Sequence, residues 1–202
     1  MKKESQELIL KIIGIFLIVF AVFAITYAGY RGMPDLIFWF CYLGMFIIGI
    51  GCLTKNDSLI ASQINLIAGF LIFWIADFFY IFIADKTLFG ITNYFFEEAL
   101  ILPRIITLEH FFLLPLSIYA LYLVKLKTKD FWKISILQAM IIFAILRIFN
   151  ISEYNVNCSF YSCVSFIPNN SFYILNWFII VFAMIFITNF ILVKLFYKNS
   201  KE

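Results

Sequence analysis

Long stretches without a charged residue recur along this chain, and no other feature limits its fold so tightly. Residues 12–30, 36–54 and 58–76 contain no Asp, Glu, Lys or Arg. Crossing a bilayer as an α-helix takes about 20 such residues. Hydrocarbon offers the backbone no hydrogen-bond partners, so apolar runs of this length read as helices whose amides and carbonyls pair internally. Composition agrees: 64% of the residues are hydrophobic and 13% charged, against about half and a quarter in a soluble domain. The expected fold is all-α, a polytopic integral membrane protein made of a single membrane domain over residues 1–202.

The apolar runs and their breakers place six transmembrane helices, at about residues 8–28, 36–53, 59–84, 105–126, 131–149 and 172–196. Lys2 and Lys3 ahead of the first run fit the start of a signal peptide, but that run exceeds the about 7–15 residues of a signal core and no Ala-x-Ala site follows. Residues 85–103 are mixed in character, with Gly90, an aromatic Tyr94-Phe95-Phe96 and a charged Glu97-Glu98. They read as an outer interfacial or re-entrant segment, since irregular backbone at membrane depth must be covered by protein. Residues 150–170 form an outer loop bearing Cys158 and Cys163. Pro115 lies inside the fourth helix and is expected to kink it near Phe111.

Six crossings put both termini on one side. Arg31, Lys86, Arg104 and Arg147 then face outward, and the other eleven of the fifteen basic residues face inward, including Lys125, Lys127, Lys129 and Lys133. Basic residues concentrate on the cytoplasmic side of membrane proteins. The expected topology is N-in and C-in, with both termini cytoplasmic and the bundle in the cell membrane. The net charge of +3 does not point to nucleic acid, because the lysines sit at helix ends.

Within this frame the polar residues gather in the outer half. Asp77 lies about 10 Å inward from the end of the third helix and His110 about 9 Å inward from Arg104. Arg147, Asn176 and Tyr80 belong to the same layer. His110 is the only histidine, and it adjoins Glu109; ionisable groups at membrane depth are costly and mark functional sites by default. Neighbouring helical residues point about 100° apart, so Glu109 and His110 are not expected to face one spot. His110, Leu114 and Ser117 share a face, which makes Ser117 the floor of a pocket. The inner half offers only isolated polar groups, namely Gln63, Asn65, Gln138 and Asn189. Cys41, Gly44, Ile48, Gly51 and Cys52 form a stripe of mostly small residues on the second helix, which suits close helix packing.

Three chemistries fit this layer. His110 acts as a general acid or base with Asp77 or Glu109 fixing its tautomer; Ser117, Thr107 or a water serves as nucleophile, and Arg147, Asn176 and Tyr80 bind the substrate. Alternatively His110, Asp77, Glu109 and Glu153 hold a metal; with one histidine the set is rich in carboxylates for zinc, and no metal or cofactor is assigned. The third reading is structural, with Arg147 paired to Asp77 or Glu109 and the network fixing helix register. No phosphate-binding glycine loop, nucleophile elbow or paired-histidine motif is present.

In the outer loop, two cysteines five residues apart on an oxidising face point to a Cys158–Cys163 disulfide. Asn150, Asn157 and Asn169 begin glycosylation sequons. The stretch Gly90-Ile-Thr-Asn-Tyr-Phe-Phe-Glu97-Glu98, downstream of Asp77, resembles the Gly…Pro-x-Glu-Glu region of membrane lycopene cyclases, with Phe95 where that motif has proline. The resemblance covers about a tenth of the chain and implies Glu97 and Glu98 as acids acting on a polyene.

The expected function is binding or processing of a lipid-like, amphiphilic molecule in a polar pocket of the outer half, with membrane lipids as partners. The rival expectations are a transporter or channel component, which needs polar residues through the inner half, and a structural or assembly subunit joined through its small-residue stripes.

Overall fold

The computed structural model describes residues 3–149, 151–164 and 167–197. Lys2, Lys198, Lys201 and Asn150 of the sequence reading lie outside the described residues. Those residues hold helices and turns and no strand. Helix α1 (Lys3–Tyr30) is followed by a 3-10 turn (Pro34–Phe38), then α2 (Phe40–Thr54) and α3 (Asp57–Ala84). Two short helices, α4 (Asn93–Glu97) and α5 (Ile101–Thr107), lead into α6 (Glu109–Val124). Helix α7 (Trp132–Ile148), a 3-10 turn (Val156–Cys158) and α8 (Tyr173–Leu192) complete the chain, with one π turn (Val193–Tyr197) after α8.

Four segments are long and apolar enough to cross a membrane: Lys3–Tyr30, Asp57–Ala84, Ile101–Val124 and Tyr173–Tyr197. The third of these joins α5 to α6. Helices α2 and α7 are shorter, at 15 and 17 residues. The large side chains that remain exposed, such as Ile12, Val19, Phe82 and Phe190, are apolar along the lengths of these helices, as befits a chain dissolved in lipid. "Outer" below denotes the end of the bundle at which α1 finishes and α2 begins.

Helix α2 is packed between α1 and α3 because small residues let the backbones approach. A Cβ at Gly49 would stand 2.8 Å from the carbonyl oxygen of Gly14 in α1, and one at Gly51 would stand 2.7 Å from Ile60 in α3. The stripe expected on α2 is buried at Cys41, Gly44, Ile48, Gly51 and Cys52. The turn into α3 follows from its residues: Lys55 takes the left-handed conformation, φ 54°, and the Asn56 side chain caps α3 by accepting from the Leu59 amide at 3.0 Å.

The helix breaks at Leu108, one turn before Phe111, where α5 leads directly into α6, and Pro115 lies inside α6. One expectation is corrected: the inner polar groups are not isolated. Gln63 and Gln138 exchange a reciprocal amide pair at 2.8 and 3.1 Å. Asn65 donates to Ser135 and to Asn189, each at 3.4 Å, and Ser135 donates to the Ser62 carbonyl at 2.9 Å. These contacts tie α3 to α7 and α8. Their partners are 70 or more positions apart in the chain, which is why spacing alone does not reveal them.

The segment after α3 folds back into the bundle. Asp77, fully buried, accepts from the Phe89 amide, the Thr92 amide and the Thr92 hydroxyl. Tyr94 is reached from still deeper, its hydroxyl accepting from the Trp74 indole at 3.0 Å. Trp74 lies ten residues before Ala84, about 15 Å along the helix.

Candidate functional site

A thiol, a carboxylate and an imidazole meet at the outer end of the bundle. Cys41 stands one residue into α2, and Glu109 and His110 open α6. One ligating atom from each lies within 4.8 Å of the other two. The Cys41 thiol is 3.8 Å from His110 Nε2, and a Glu109 carboxylate oxygen is 3.9 Å from His110 Nδ1. Glu109 is 1% exposed and His110 12%.

The tautomer of His110 follows from its neighbours. Nδ1 lies 2.7 Å from the Thr107 carbonyl, which only accepts, so Nδ1 carries the proton and donates. Nε2 is therefore the free lone pair, directed at the Cys41 sulfur. The ring stacks on Trp74 of α3 at 4.5 Å between centroids. Trp74 in turn packs against Phe78, Phe95 and Phe111. An aromatic wall from α3, α4 and α6 thus fixes the imidazole plane.

Glu109 has no such support. Its Oε2 is buried and without a hydrogen-bond partner. A buried carboxylate in that state is expensive, because desolvation is not repaid by a pair. Among the described residues Asn65 Oδ1, Arg104 Nε and Ser159 Oγ are likewise buried without a partner; Glu109 is the one acid of the four.

Adjacent Glu109 and His110 do converge, contrary to the expectation of opposed directions. The 100° between neighbouring positions applies to their Cβ atoms, and the three rotatable bonds of glutamate bring its carboxylate round. Cys41 is the member that sequence reasoning missed, having been assigned to a packing stripe. Its signal was available: α2 starts at the outer end, so Cys41 stands at the level of His110.

The other predicted residues have separate employments. Asp77 holds the re-entrant segment. Arg147 donates from Nε and a terminal nitrogen to the Ser159 carbonyl at 3.1 and 2.8 Å, with its guanidinium over the Phe160 ring; it anchors the outer cap and pairs with neither Asp77 nor Glu109. Ser117 is buried and donates back to the Leu113 carbonyl one turn earlier. Tyr80 and Asn176 are half-buried, and their side chains make no hydrogen bond among the described residues. Glu153 is exposed on the cap and is not a member of the cluster. Glu97 is also exposed, while Glu98 accepts from the Leu100 amide and lies 3.9 Å from Arg31. Of the acid pair implied by the cyclase resemblance, Glu97 is exposed and Glu98 half-buried.

The cap closes the outer end. Cys158 and Cys163 are disulfide-bonded. Asn157, 4% exposed, accepts from the Phe40 amide at 3.0 Å, donates to the Phe38 carbonyl at 2.8 Å, and offers its own carbonyl to the Trp177 indole. It thereby caps the start of α2 beside Cys41. With its amide used in this way, Asn157 is closed to glycosylation; Asn169 is exposed.

An apolar groove of about 590 Å³ runs beside Pro115, lined by Ile75, Leu114, Ile118, Tyr119, Tyr122 and Phe196. No member of the Cys41, Glu109 and His110 cluster lines it; on α6 it runs from Leu114, one turn inward from His110, to Tyr122. A second groove, on α1, is lined by Ile12, Phe16, Val19 and Phe23.

No family model matches the chain, and neither a curated protein nor a solved structure is significantly similar to it.

Proposed function

We propose that this protein binds an amphiphilic, lipid-like molecule in the outer half of a six-crossing bundle whose termini are both cytoplasmic, in the cell membrane. The molecule's chain lies in the groove beside Pro115, and its polar end is directed toward Glu109, His110 and Cys41. One observation carries the reading: a groove of the size that holds a small molecule opens on the apolar face of α6, the helix that carries a buried carboxylate with an unpaired oxygen at its outer end. An apolar trough along the helix that bears a polar cluster at its outer end suits an amphiphile whose chain runs inward along α6. The amide layer around Gln63 and Gln138 pairs with itself and packs shut, so it supports a structural role there rather than a permeation path.

The test is thermal stability in detergent, with and without native lipid extract, for the parent, His110→Ala and Ile118→Trp. Ile118 is half-exposed in the groove, and tryptophan fills it without touching the core. Lipid is expected to raise the parent melting temperature by several degrees, and Ile118→Trp to lose that rise while melting normally without lipid. An unchanged lipid response in both variants contradicts the reading.

A further inference from the structure

We infer that Cys41, Glu109 and His110 form a three-ligand site for a divalent transition metal of zinc-like preference. The inference concerns the same cluster as the proposed function, but it does not need an amphiphile in the groove. Thiolate, imidazole and carboxylate are the three donor types that zinc takes, with bond lengths near about 2.0–2.3 Å and three protein ligands in open sites. Tetrahedral ligands at those lengths stand about 3.5 Å apart. The thiol and His110 Nε2 are already 3.8 Å apart, and all three donors lie within 4.8 Å; rotation about the flexible Glu109 side chain closes the remainder.

Three independent features favour an ion over a bare cluster. The Glu109 carboxylate is 1% exposed and one of its oxygens lacks any partner, a state that a cation relieves. His110 presents Nε2 inward while Nδ1 donates to the Thr107 carbonyl, the outer hydrogen bond that orients and strengthens metal-binding histidines. Charge also closes: thiolate and carboxylate carry two negative charges, imidazole none, and a divalent cation cancels them. The occupied site is then neutral where the surroundings are apolar. Binding displaces the proton of the Cys41 thiol, and that of Glu109 if it is protonated, so affinity rises with pH.

The experiment uses the full chain in detergent without added lipid, stripped of metal and titrated with Co²⁺ alone, then with Zn²⁺. A Cys52→Ser background leaves Cys41 as the one free thiol, since the remaining cysteines are Cys158 and Cys163, which are paired. One cobalt per chain is expected, with tetrahedral visible bands and a thiolate-to-cobalt charge-transfer band that zinc abolishes. Adding Cys41→Ser should remove the charge-transfer band, and Glu109→Gln should weaken binding by about tenfold or more. Absence of that band in Cys52→Ser, whose own fold is checked by its melting curve, overturns the inference even if Cys41→Ser fails to fold. A band that survives Cys41→Ser overturns it as well. The lipid-dependent melting shift is read separately, so either reading can fail alone.

Discussion

Asp77 and Glu109 are both carboxylates at membrane depth, and their surroundings treat them oppositely. Asp77 receives three hydrogen bonds from Phe89 and Thr92, whereas one oxygen of Glu109 receives none. Bonds to a charged acceptor are worth about 1.5–3 kcal/mol each before losses elsewhere. Asp77→Ala should therefore cost about 2–4 kcal/mol and expose the amides of Phe89 and Thr92 to hydrogen exchange. Glu109→Gln in metal-free protein should leave the melting temperature unchanged or higher, because Oε2 has no hydrogen bond for the substitution to break. The sequence reading put both residues in one outer layer by depth, but depth does not tell direction. What separates them is the re-entrant loop, whose path depends on three hydrogen bonds that periodicity cannot encode. His110 was legible as the centre because it is the one histidine and lies in an apolar run.

At the scale of elements, helix positions followed from apolar runs and breakers, and the turn at Lys55 and Asn56 from its residue types. Partners across the bundle did not. The pairing of Gln63 with Gln138 links α3 to α7, and nothing local announces it. Gln63→Leu alone leaves the Gln138 amide without its partner and should destabilise by about 0.6–2 kcal/mol; Gln63→Leu with Gln138→Leu should recover most of that loss, as read from unfolding in detergent. The α1–α2 contact makes a second case. Gly49→Ala places a Cβ 2.8 Å from the backbone of Gly14, and backbone cannot yield cheaply, so a loss of about 1–3 kcal/mol is expected. The outer cap depends in the same way on Asn157, whose side chain serves both Phe38 and Phe40, a role hidden in what the sequence presents as a glycosylation signal.

For the whole molecule, the proposed topology puts the Lys127 loop in the cytoplasm and the Lys86 loop outside, as the distribution of basic residues suggests. Both side chains are exposed. In intact cells an impermeant thiol reagent should therefore label Lys86→Cys at once, and Lys127→Cys only after permeabilisation. Four helices are long enough to span on their own; α2 and α7 supply the remaining two crossings in the proposed topology, their shortness offset by the cap at one end and the lysine-rich turns at the other. In that topology the groove beside Pro115 opens sideways to lipid from about one turn below His110 toward the inner end of α6. The most direct measurement is photocrosslinking in membranes with a lipid that carries a diazirine along its acyl chain, mapped by peptide mass spectrometry. Concentrated labelling of residues 114–122, reduced by Ile118→Trp, is the predicted result. Labelling spread evenly over the apolar belt, with the α1 face from Ile12 to Phe23 marked as strongly, would contradict the account.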